Sequence, residues 1–178
     1  MSTITETKAV PAGTWGLDKV HSATGFAVDY LAGTFQGSFS DYSAELKDGV
    51  LSGSAKVASV QVPEPNLAGH LQSPDFFDAE RHPEITFVTK DIRREGNDLA
   101  IEGEITIKGH TEPVAIKGVI TDPIADPYGN ERLGVKLETA IDRTKFGVSW
   151  NNPLPSGDSA LANEVRLLAD LQLVKQEA

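Results

Sequence analysis

The sequence predicts an all-β domain whose antiparallel strands close into a single barrel. Three observations support this prediction: apolar and polar residues alternate along most of the chain, short turns separate the alternating segments, and 16 glycines and 10 prolines punctuate them. Alternation with a period of two is typical of strands that bury one face, and frequent turns favour hairpins. A chain of 178 residues is long enough to bury a substantial core in one domain.

The alternation is most regular in the second half of the chain. From residue 98 to residue 109, aliphatic side chains alternate with charged residues and threonine: Leu99, Ile101, Ile105 and Ile107. Four other segments repeat the pattern, and their apolar residues are Ile85 and Phe87; Val114, Ile116 and Ile120; Leu133, Val135, Leu137 and Ile141; and Val165, Leu167, Ala169, Leu171 and Leu173. These residues are expected to face the interior.

The N-terminal half is less regular but still indicates strands. Two sets of apolar residues share a parity there: Phe26, Val28 and Tyr30, then Phe35 and Phe39. Gly33 and Gly37 predict sharp coiling or a bulge in the second strand. Asp48-Gly49 between apolar runs is a strong signal for a two-residue hairpin turn. Further turns are predicted at residues 94–97 and 126–130.

Two segments break the alternation and predict short helices. In residues 63–78, prolines end the strand, and Asn66 is expected to cap a helix that contains Leu67 and Leu71. The second segment, residues 151–163, is a loop rich in proline and polar residues that could finish as one helical turn.

The total is eight or nine strands joined mostly by tight turns. A meander of this length removes its exposed edges by closing into a barrel. An eight-stranded barrel is wide enough either to fill with side chains or to hold one ligand, and the pattern alone leaves both outcomes open. A sandwich of two sheets is also compatible with it.

Charge and composition exclude several classes of function. With 16 basic and 26 acidic residues the formal net charge is -10, which argues against nucleic-acid binding. The absence of cysteine excludes thiol nucleophiles, thiolate metal sites and disulfides. No apolar run reaches the length of a membrane span, so no stable membrane insertion is expected. The first 11 residues lack the pattern of a secretory signal, so we expect a cytoplasmic protein.

The candidates for chemistry are weak. The four histidines, His21, His70, His82 and His110, show no metal-ligand spacing, so no metal is expected. Asp18, His21 and Ser22 have the residue types of a hydrolase triad, but adjacent residues of a strand face opposite ways. A run of carboxylates is better interpreted as a solvated connector: Asp75, Asp78, Glu80 and Glu84. We therefore expect neither catalysis nor a cofactor.

The segment around Arg143 is the most notable polar group. One interpretation is an Asp142–Arg143 ion pair that holds the chain before the next turn. The other is that Arg143 or Lys145, together with Asn151, contacts the polar end of a ligand at the barrel mouth. Trp150 is expected to cover that opening.

Several motifs carry a resemblance to a known family. They are Trp15-Gly16-Leu17-Asp18 with His21-Ser22, GTFQGSF at 33–39, HLQSPDFFD at 70–78, Ile85-Thr86-Phe87 after Pro83, GEITIKG at 103–109 and DRTKFG at 142–147. Each motif is weak by itself, but their order and spacing are specific. From Trp15 to Val174 the chain resembles the YceI-like family of lipocalin-like, polyisoprenoid-binding proteins.

The resemblance implies a single extended, eight-stranded antiparallel lipocalin-like β-barrel with one or two short helices. We expect this domain over residues 13–176, after a flexible N-terminal segment at residues 1–12. It also implies non-catalytic binding, storage or transport of an apolar isoprenoid-type lipid, such as a prenyl quinone or a polyprenyl-phosphate-like molecule. The alternatives are an enzyme that modifies a small hydrophobic substrate and a stress-related interaction module with a filled barrel.

The predicted ligand-binding residues are the inward-facing apolar side chains together with two residues at the mouth. They are Phe26, Val28, Phe35, Phe39, Ile85, Phe87, Ile101, Ile105, Ile107, Leu137, Ile141, Arg143, Trp150, Val165, Leu167 and Leu171. The expected partner is an apolar small-molecule lipid, and an apolar rim would favour a homodimer.

Overall fold

The computed structural model describes residues 9–176. Most of the predicted flexible segment, residues 1–8 of 1–12, lies outside the described residues. The end of that segment contacts the barrel: the carbonyl of Ala9 accepts a hydrogen bond from Arg94, and Val10 packs against the core. The Trp15 indole donates to the carbonyl of Ala12 at 3.1 Å.

Strands make up most of the described chain. They are β1 (Thr14–Leu17), β2 (Ala23–Tyr30), β3 (Gly33–Phe39), β4 (Tyr42–Lys47), β5 (Val50–Lys56), β6 (Val60–Gln61), β7 (Glu84–Glu95), β8 (Asp98–Ile107), β9 (His110–Ile120), β10 (Ile124–Ala125), β11 (Glu131–Asp142) and β12 (Leu161–Lys175). One α-helix, α1 (Pro65–Gln72), and three 3-10 helices (Lys19–His21, Val57–Ser59 and Arg143–Phe146) connect them.

These strands form a closed eight-stranded antiparallel barrel. Each of the pairs β1–β2, β3–β4 and β5–β6 acts as one long strand with a break, because its two members pair with the two members of the adjacent pair: β1 with β4, β2 with β3, β3 with β6 and β4 with β5. The long strands follow one another around the ring in chain order, and β12 closes it by pairing with both halves of the first. The predicted barrel is confirmed, and the sandwich alternative is wrong.

Two tight turns have the backbone that their sequence predicts. Asp48 and Gly49 join β4 to β5 with φ angles of 48° and 82°, and the mirror-image turn that suits twisted hairpins requires such positive values. Lys108 and Gly109 join β8 to β9 with φ angles of 51° and 76°. The predicted hairpin at Asp48-Gly49 is therefore confirmed.

The bulge considered around Gly33 and Gly37 is absent from β3. The β2–β3 register is uninterrupted from Gly25 to Tyr30. Register irregularities fall instead in β7, between Thr89 and Asp91, and in β12, between Leu161 and Val165. A side chain at Gly37 would place its Cβ 2.5 Å from the Phe26 ring. Gly37 therefore accommodates the ring of Phe26.

The helix after β6 is confirmed, but its predicted cap is wrong. Glu64 is the N-cap, and its carboxylate accepts from the backbone N–H groups of Asn66 at 3.1 Å and Leu67 at 3.0 Å. Pro65 occupies the first helical position, where its missing N–H costs nothing. The helical turn considered within residues 151–163 is absent; the only helical segment between β11 and β12 is Arg143–Phe146.

One end of the barrel is filled with packed side chains. The most deeply buried of them there come from strands all around the ring: Trp15, Leu46, Ile101, Ile120, Leu133, Val135 and Leu173. The buried guanidinium of Arg94 closes this end, since it donates to the carbonyls of Ala9 and Gly96 and to Asp122 at 2.7 Å. An interior space can therefore lie only nearer the opposite end.

Candidate functional site

The other half of the barrel encloses a cavity of about 580 Å³. This volume lies within the range of roughly 300–1,000 Å³ that small-molecule sites occupy. Inward side chains of β2, β3, β4, β5, β7, β8, β9, β11 and β12 form the wall, and most of them are aliphatic or aromatic. The sequence pattern left open whether the barrel is filled; the structure shows a cavity.

The predicted binding residues line this cavity with one exception. Ile101 is only 1% exposed and lies in the packed end, beside Ile92 and Ile116. It shares a strand and a face with Ile105 but stands nearer the closed end. The role of the other residues in ligand binding stays a prediction.

Antiparallel pairing explains why these residues share the cavity. Val165 of β12 lies opposite both Val28 of β2 and Ile141 of β11. Opposed residues in antiparallel strands project to the same side of a sheet. The same register pairs Leu167 with Phe26, so one apolar face continues across three strands.

Glycines at inward positions keep aromatic rings against the wall. The ring of Phe87 lies over Gly103, where an added Cβ would come within 2.8 Å of Cε2 of that ring. The same Cβ would lie 2.4 Å from the backbone oxygen of Val88. Packing an aromatic ring over a strand glycine is a known way to stabilise a sheet, and here it leaves the centre of the lumen open.

A group of phenylalanines occupies one side of the cavity. Phe26 lies 5.8 Å from Phe39, 6.3 Å from Phe35 and 6.4 Å from Phe77, measured between ring centroids. These spacings and the tilted or edge-on angles are typical of favourable aromatic contacts. The cavity therefore offers a large polarisable surface to a ligand.

Two connections between strands cover the end of the cavity that lies opposite the packed end of the barrel. The first is α1 with the segment that leads to β7 (residues 65–83), and the second joins β11 to β12 (residues 143–160). His70 of the first lies 5.0 Å from Trp150 of the second and 4.9 Å from Phe76, edge-on in both cases. Its Nε2 is 3.1 Å from Oδ2 of Asp75. Trp150 thus lies in the cover, where the sequence predicted it.

Arg143 is buried and donates to backbone carbonyls, in place of the expected ion pair with Asp142. Its guanidinium donates to Ala162 at 2.9 Å and to Val148 and Trp150, each at 2.8 Å. Burial lowers the pKa of Arg143. Asp142 instead caps the following 3-10 helix.

Asn151 has a similar structural role in the second connection. Its amide donates to the carbonyl of Leu161 at 2.8 Å and accepts from the Leu161 N–H at 2.9 Å. Arg143 and Asn151 together hold the second connection in place. These contacts occupy two of the three groups that were considered for the polar end of a ligand. The third, Lys145, is exposed and does not line the cavity.

The triad-like residues near the N-terminus form a structural network at the closed end. Arg132 donates to Oδ2 of Asp18 at 2.5 Å, and the same oxygen is 2.7 Å from Nδ1 of His21. The hydrogen bond from Arg132, with that from His21, holds the pKa of Asp18 well below its usual range. The hydroxyl of Ser22 accepts from the backbone of Gln172 at 2.9 Å. No hydrogen bond joins the side chains of Ser22 and His21.

The other candidates for chemistry are dispersed. Within residues 9–176, no three histidines or carboxylates come together as metal ligands. The carboxylates of the connector have separate basic neighbours: Asp75 has His70, Asp78 has Arg81, and Glu84 has Lys56. Asp78 is buried, so the connector is less solvated than expected.

None of the helices within residues 9–176 is both long and apolar enough to span a bilayer.

Sequence reasoning missed part of the lining. The missed residues include Tyr42, Leu67, His70, Phe76, Phe77 and Val148. Most lie outside strands, where alternation carries no information. Tyr42 shares its parity with Ala44 and Leu46, and this signal was available in the sequence.

The closed meander and its apolar interior define a lipocalin-like β-barrel with an internal cavity. The family model of the YceI-like domain matches residues 15–173. The chain therefore belongs to the YceI-like family, which confirms the resemblance seen in the motifs.

Similar proteins share most of the chain. A UPF0312 protein of Pseudomonas putida is 29% identical over 152 residues, which cover 83% of this chain and 76% of that protein. The crystal structure of Burkholderia cenocepacia BcnA matches with a TM-score of 0.76 and 24% identity, covering 88% of this chain and 98% of that one. A polyisoprenoid binding domain from Saccharophagus degradans matches with a TM-score of 0.72 and 11% identity, covering 91% and 98%. These two structures establish the shared fold.

Proposed function

We propose that this protein binds an isoprenoid-type lipid in its cavity and releases it chemically unchanged, for storage or transport. The apolar cavity of about 580 Å³ carries this proposal. A prenyl tail has no hydrogen-bonding groups, so a dry apolar wall is sufficient to hold it. Each buried CH₂ group contributes about 0.8 kcal/mol. The polyisoprenoid binding domain of Saccharophagus degradans, which shares the fold, supports this choice of ligand.

The cavity volume sets the length of tail that it accommodates. If each carbon occupies the ~30 Å³ that a water molecule takes in the liquid, the cavity holds roughly 20 carbons. That length corresponds to about four isoprene units. A longer tail would extend through the cover.

Binding without catalysis is favoured by the positions of the polar groups. Arg143 is bonded to backbone carbonyls, and Asp18, His21 and Ser22 lie at the closed end, away from the cavity. The lining contains one base beside a carboxylate, His70 with Asp75 at 3.1 Å, but none of the hydroxyl groups of the described lining is bonded to that histidine. The cytoplasmic location and the homodimer stay predictions of the sequence.

The direct test is to fill the lumen and measure binding. In Ile105→Trp, an indole would occupy the cavity, and the affinity for a prenyl alcohol with four isoprene units should fall at least tenfold. The matched control is Glu102→Trp, which places the same side chain on the outer face of β8. Binding is measured by titration calorimetry, and folding by circular dichroism. Equal affinity in Ile105→Trp and the original protein would show that the lipid binds elsewhere.

Native mass spectrometry of the protein purified from cells provides a second test. A tightly held apolar adduct is expected, and mild organic extraction should remove it. If the protein carries no adduct and takes up no added prenyl alcohol, the proposed function is wrong.

A further inference from the structure

The turn between β8 and β9 touches both of the connections that cover the cavity. A Cβ added at Gly109 would lie 2.7 Å from Cε1 of His82, which belongs to the first connection. A Cβ added at Gly147, in the second connection, would lie 3.0 Å from Cε1 of His110. Residues 108–110 therefore stand against both connections where these meet. We call the boundary between residues 65–83 and residues 143–160 the seam.

Lys108 bridges the seam with hydrogen bonds. Its ammonium donates to the carbonyl of Pro74 in the first connection at 2.5 Å and to the carbonyl of Gly147 in the second at 3.1 Å. Among the hydrogen bonds within residues 9–176, these two are the ones that link residues 65–83 to residues 143–160. The seam is otherwise closed by ring contacts between Trp150 and the first connection.

The backbone of Lys108 indicates that its side chain has a role beyond the turn. Its φ angle of 51° lies in the left-handed region, which glycine, asparagine and aspartate adopt more readily than lysine. The corresponding turn at the closed end of the barrel has aspartate in this place, Asp48. Asparagine before Gly109 would form the pair that such hairpin turns favour most. The lysine is therefore better accounted for by its two carbonyl contacts than by the turn.

The position of Lys108 separates it from the bound lipid. Ile107 lines the cavity, whereas Lys108 is half-buried and does not belong to the lining. We therefore expect the hydrogen bonds to Pro74 and Gly147 to be the same whether the cavity is empty or filled. Their loss would then lower the free energy of opening the seam equally in both states.

We propose that lipid enters and leaves the cavity through the seam, and that Lys108 is the positioning residue that holds the seam closed. Opening breaks the hydrogen bonds to Pro74 and Gly147 and separates the rings that meet across the seam. A cover that is stabilised equally with and without ligand sets the rate of exchange but leaves the affinity unchanged. This inference rests on the proposed function and adds the route of the lipid and its control.

The test compares Lys108→Met with the original protein, because methionine keeps much of the apolar length but has no donor. Association of a prenyl alcohol with four isoprene units is followed by stopped-flow tryptophan fluorescence, since Trp150 lines the cavity. Release is followed after mixing the complex with excess methyl-β-cyclodextrin. Both rate constants should rise about tenfold or more, as expected for losing hydrogen bonds from a charged group, while Kd stays within about twofold.

Two further variants serve as controls. Lys90→Met removes an exposed ion pair with Glu104 and should leave both rate constants unchanged. Lys108→Asn provides the turn with a favoured residue, but its shorter side chain cannot bridge Pro74 and Gly147. It should be at least as resistant to urea as the original protein and still exchange lipid faster, which a general loss of stability would not produce.

Hydrogen exchange of the lipid-free protein gives a readout that is independent of any ligand. Amides of residues 65–83 and 143–160 should exchange faster in Lys108→Met than in the original protein. Amides of the packed end, around Trp15 and Leu173, should keep their original rates, because the seam opens locally.

The outcomes separate this inference from the proposed function. Unchanged rate constants in both Lys108 variants would show that this residue does not control exchange, while lipid binding stands. Faster release with unchanged association would also overturn the inference, because Lys108 would then contact the lipid itself. If the original protein binds no prenyl alcohol, the proposed function fails and the lipid route with it, and hydrogen exchange alone decides whether Lys108 holds the seam.

Discussion

The buried polar side chains of this barrel differ in whether the protein satisfies their hydrogen bonds. Arg94 and Arg143 are both buried, and both donate to backbone carbonyls, one at the closed end and one beside the cavity. An arginine with its planar array of donors can satisfy several carbonyls at once. Tyr42 differs from both, because its hydroxyl is left without a partner inside the protein.

At the residue scale, Asp18 predicts a pH dependence of stability. Its pKa is lower in the folded protein than the ordinary value of 3.8, chiefly because of Arg132. Folding therefore stabilises the ionised form of Asp18. This stabilisation is fully present when the pH is above the pKa of Asp18 in the unfolded protein. It is lost as the pH falls through the pKa of Asp18 in the folded protein. The free energy of unfolding should therefore decrease below about pH 5, and Asp18→Asn should flatten that decrease.

The measurement is urea unfolding at pH 7, 5, 4 and 3, followed by circular dichroism. Asp158→Asn, on the exposed part of the second connection, is the matched control and should keep the original pH profile. Parallel profiles for Asp18→Asn and the original protein would show that the Arg132 contact does not stabilise the fold.

At the element scale, glycines decide how the strands hold their aromatic rings. Gly37 and Gly103 have no side chain where Phe26 and Phe87 pack. We expect Gly103→Ala to destabilise the protein by about 1–3 kcal/mol, the usual cost of overpacking a filled site. Its Cβ would collide with the backbone oxygen of Val88 and displace the Phe87 ring into the lumen. Affinity for a prenyl alcohol should fall with stability.

Gly33→Ala serves as the control for this prediction. Gly33 also lies in a strand, but no atom is within 4 Å of the position that an added methyl carbon would take, so little change is expected. Urea unfolding and lipid titration are measured for both variants. Equal stabilities would refute the idea that Gly103 is required for ring packing.

The elements also show where sequence reasoning succeeds. Alternation identified the inward faces of β2, β3, β7, β8, β11 and β12, because a strand places every second side chain on one face. It predicted the helix α1 but could not show that α1 covers the cavity, because His70 and Phe76 meet Trp150 only through tertiary contacts. The N-cap prediction failed because the helix begins at Pro65, which places Asn66 inside its first turn and leaves Glu64 to accept from the free N–H groups.

At the scale of the whole molecule, cavity volume predicts a limit on tail length. Affinity for prenyl alcohols should increase from two to four isoprene units as each unit buries more apolar surface, at about 0.8 kcal/mol per CH₂ before ordering costs. Beyond about four units the cavity is full, so additional units remain in water and affinity should level off. Titration calorimetry of a series with two, three, four and six units measures this. A constant gain per unit through six would show that the lumen extends further than about 580 Å³.

The sequence by itself determined the class of fold, the inward parity of the strands and the family. These properties follow from local rules, since alternation, tight turns and ordered motifs are all written along the chain. The tertiary structure decided which inward residues border open space. Ile101 and Ile105 have the same parity on the same strand, but one lies in the packed end and the other on the cavity wall. Periodicity reports the face of a residue and carries no information about its position along the barrel axis.

The same distinction applies to the polar residues. Arg143 was visible in a motif, but the carbonyls that bind it come from residues 148–162 and are brought to it only by the closed barrel. The unpartnered hydroxyl of Tyr42 depends on what every neighbouring strand places around it. Whether a buried polar group has a hydrogen-bond partner depends on the residues that surround it in three dimensions. Whether Arg143 and Tyr42 have partners could therefore be determined only from the folded barrel.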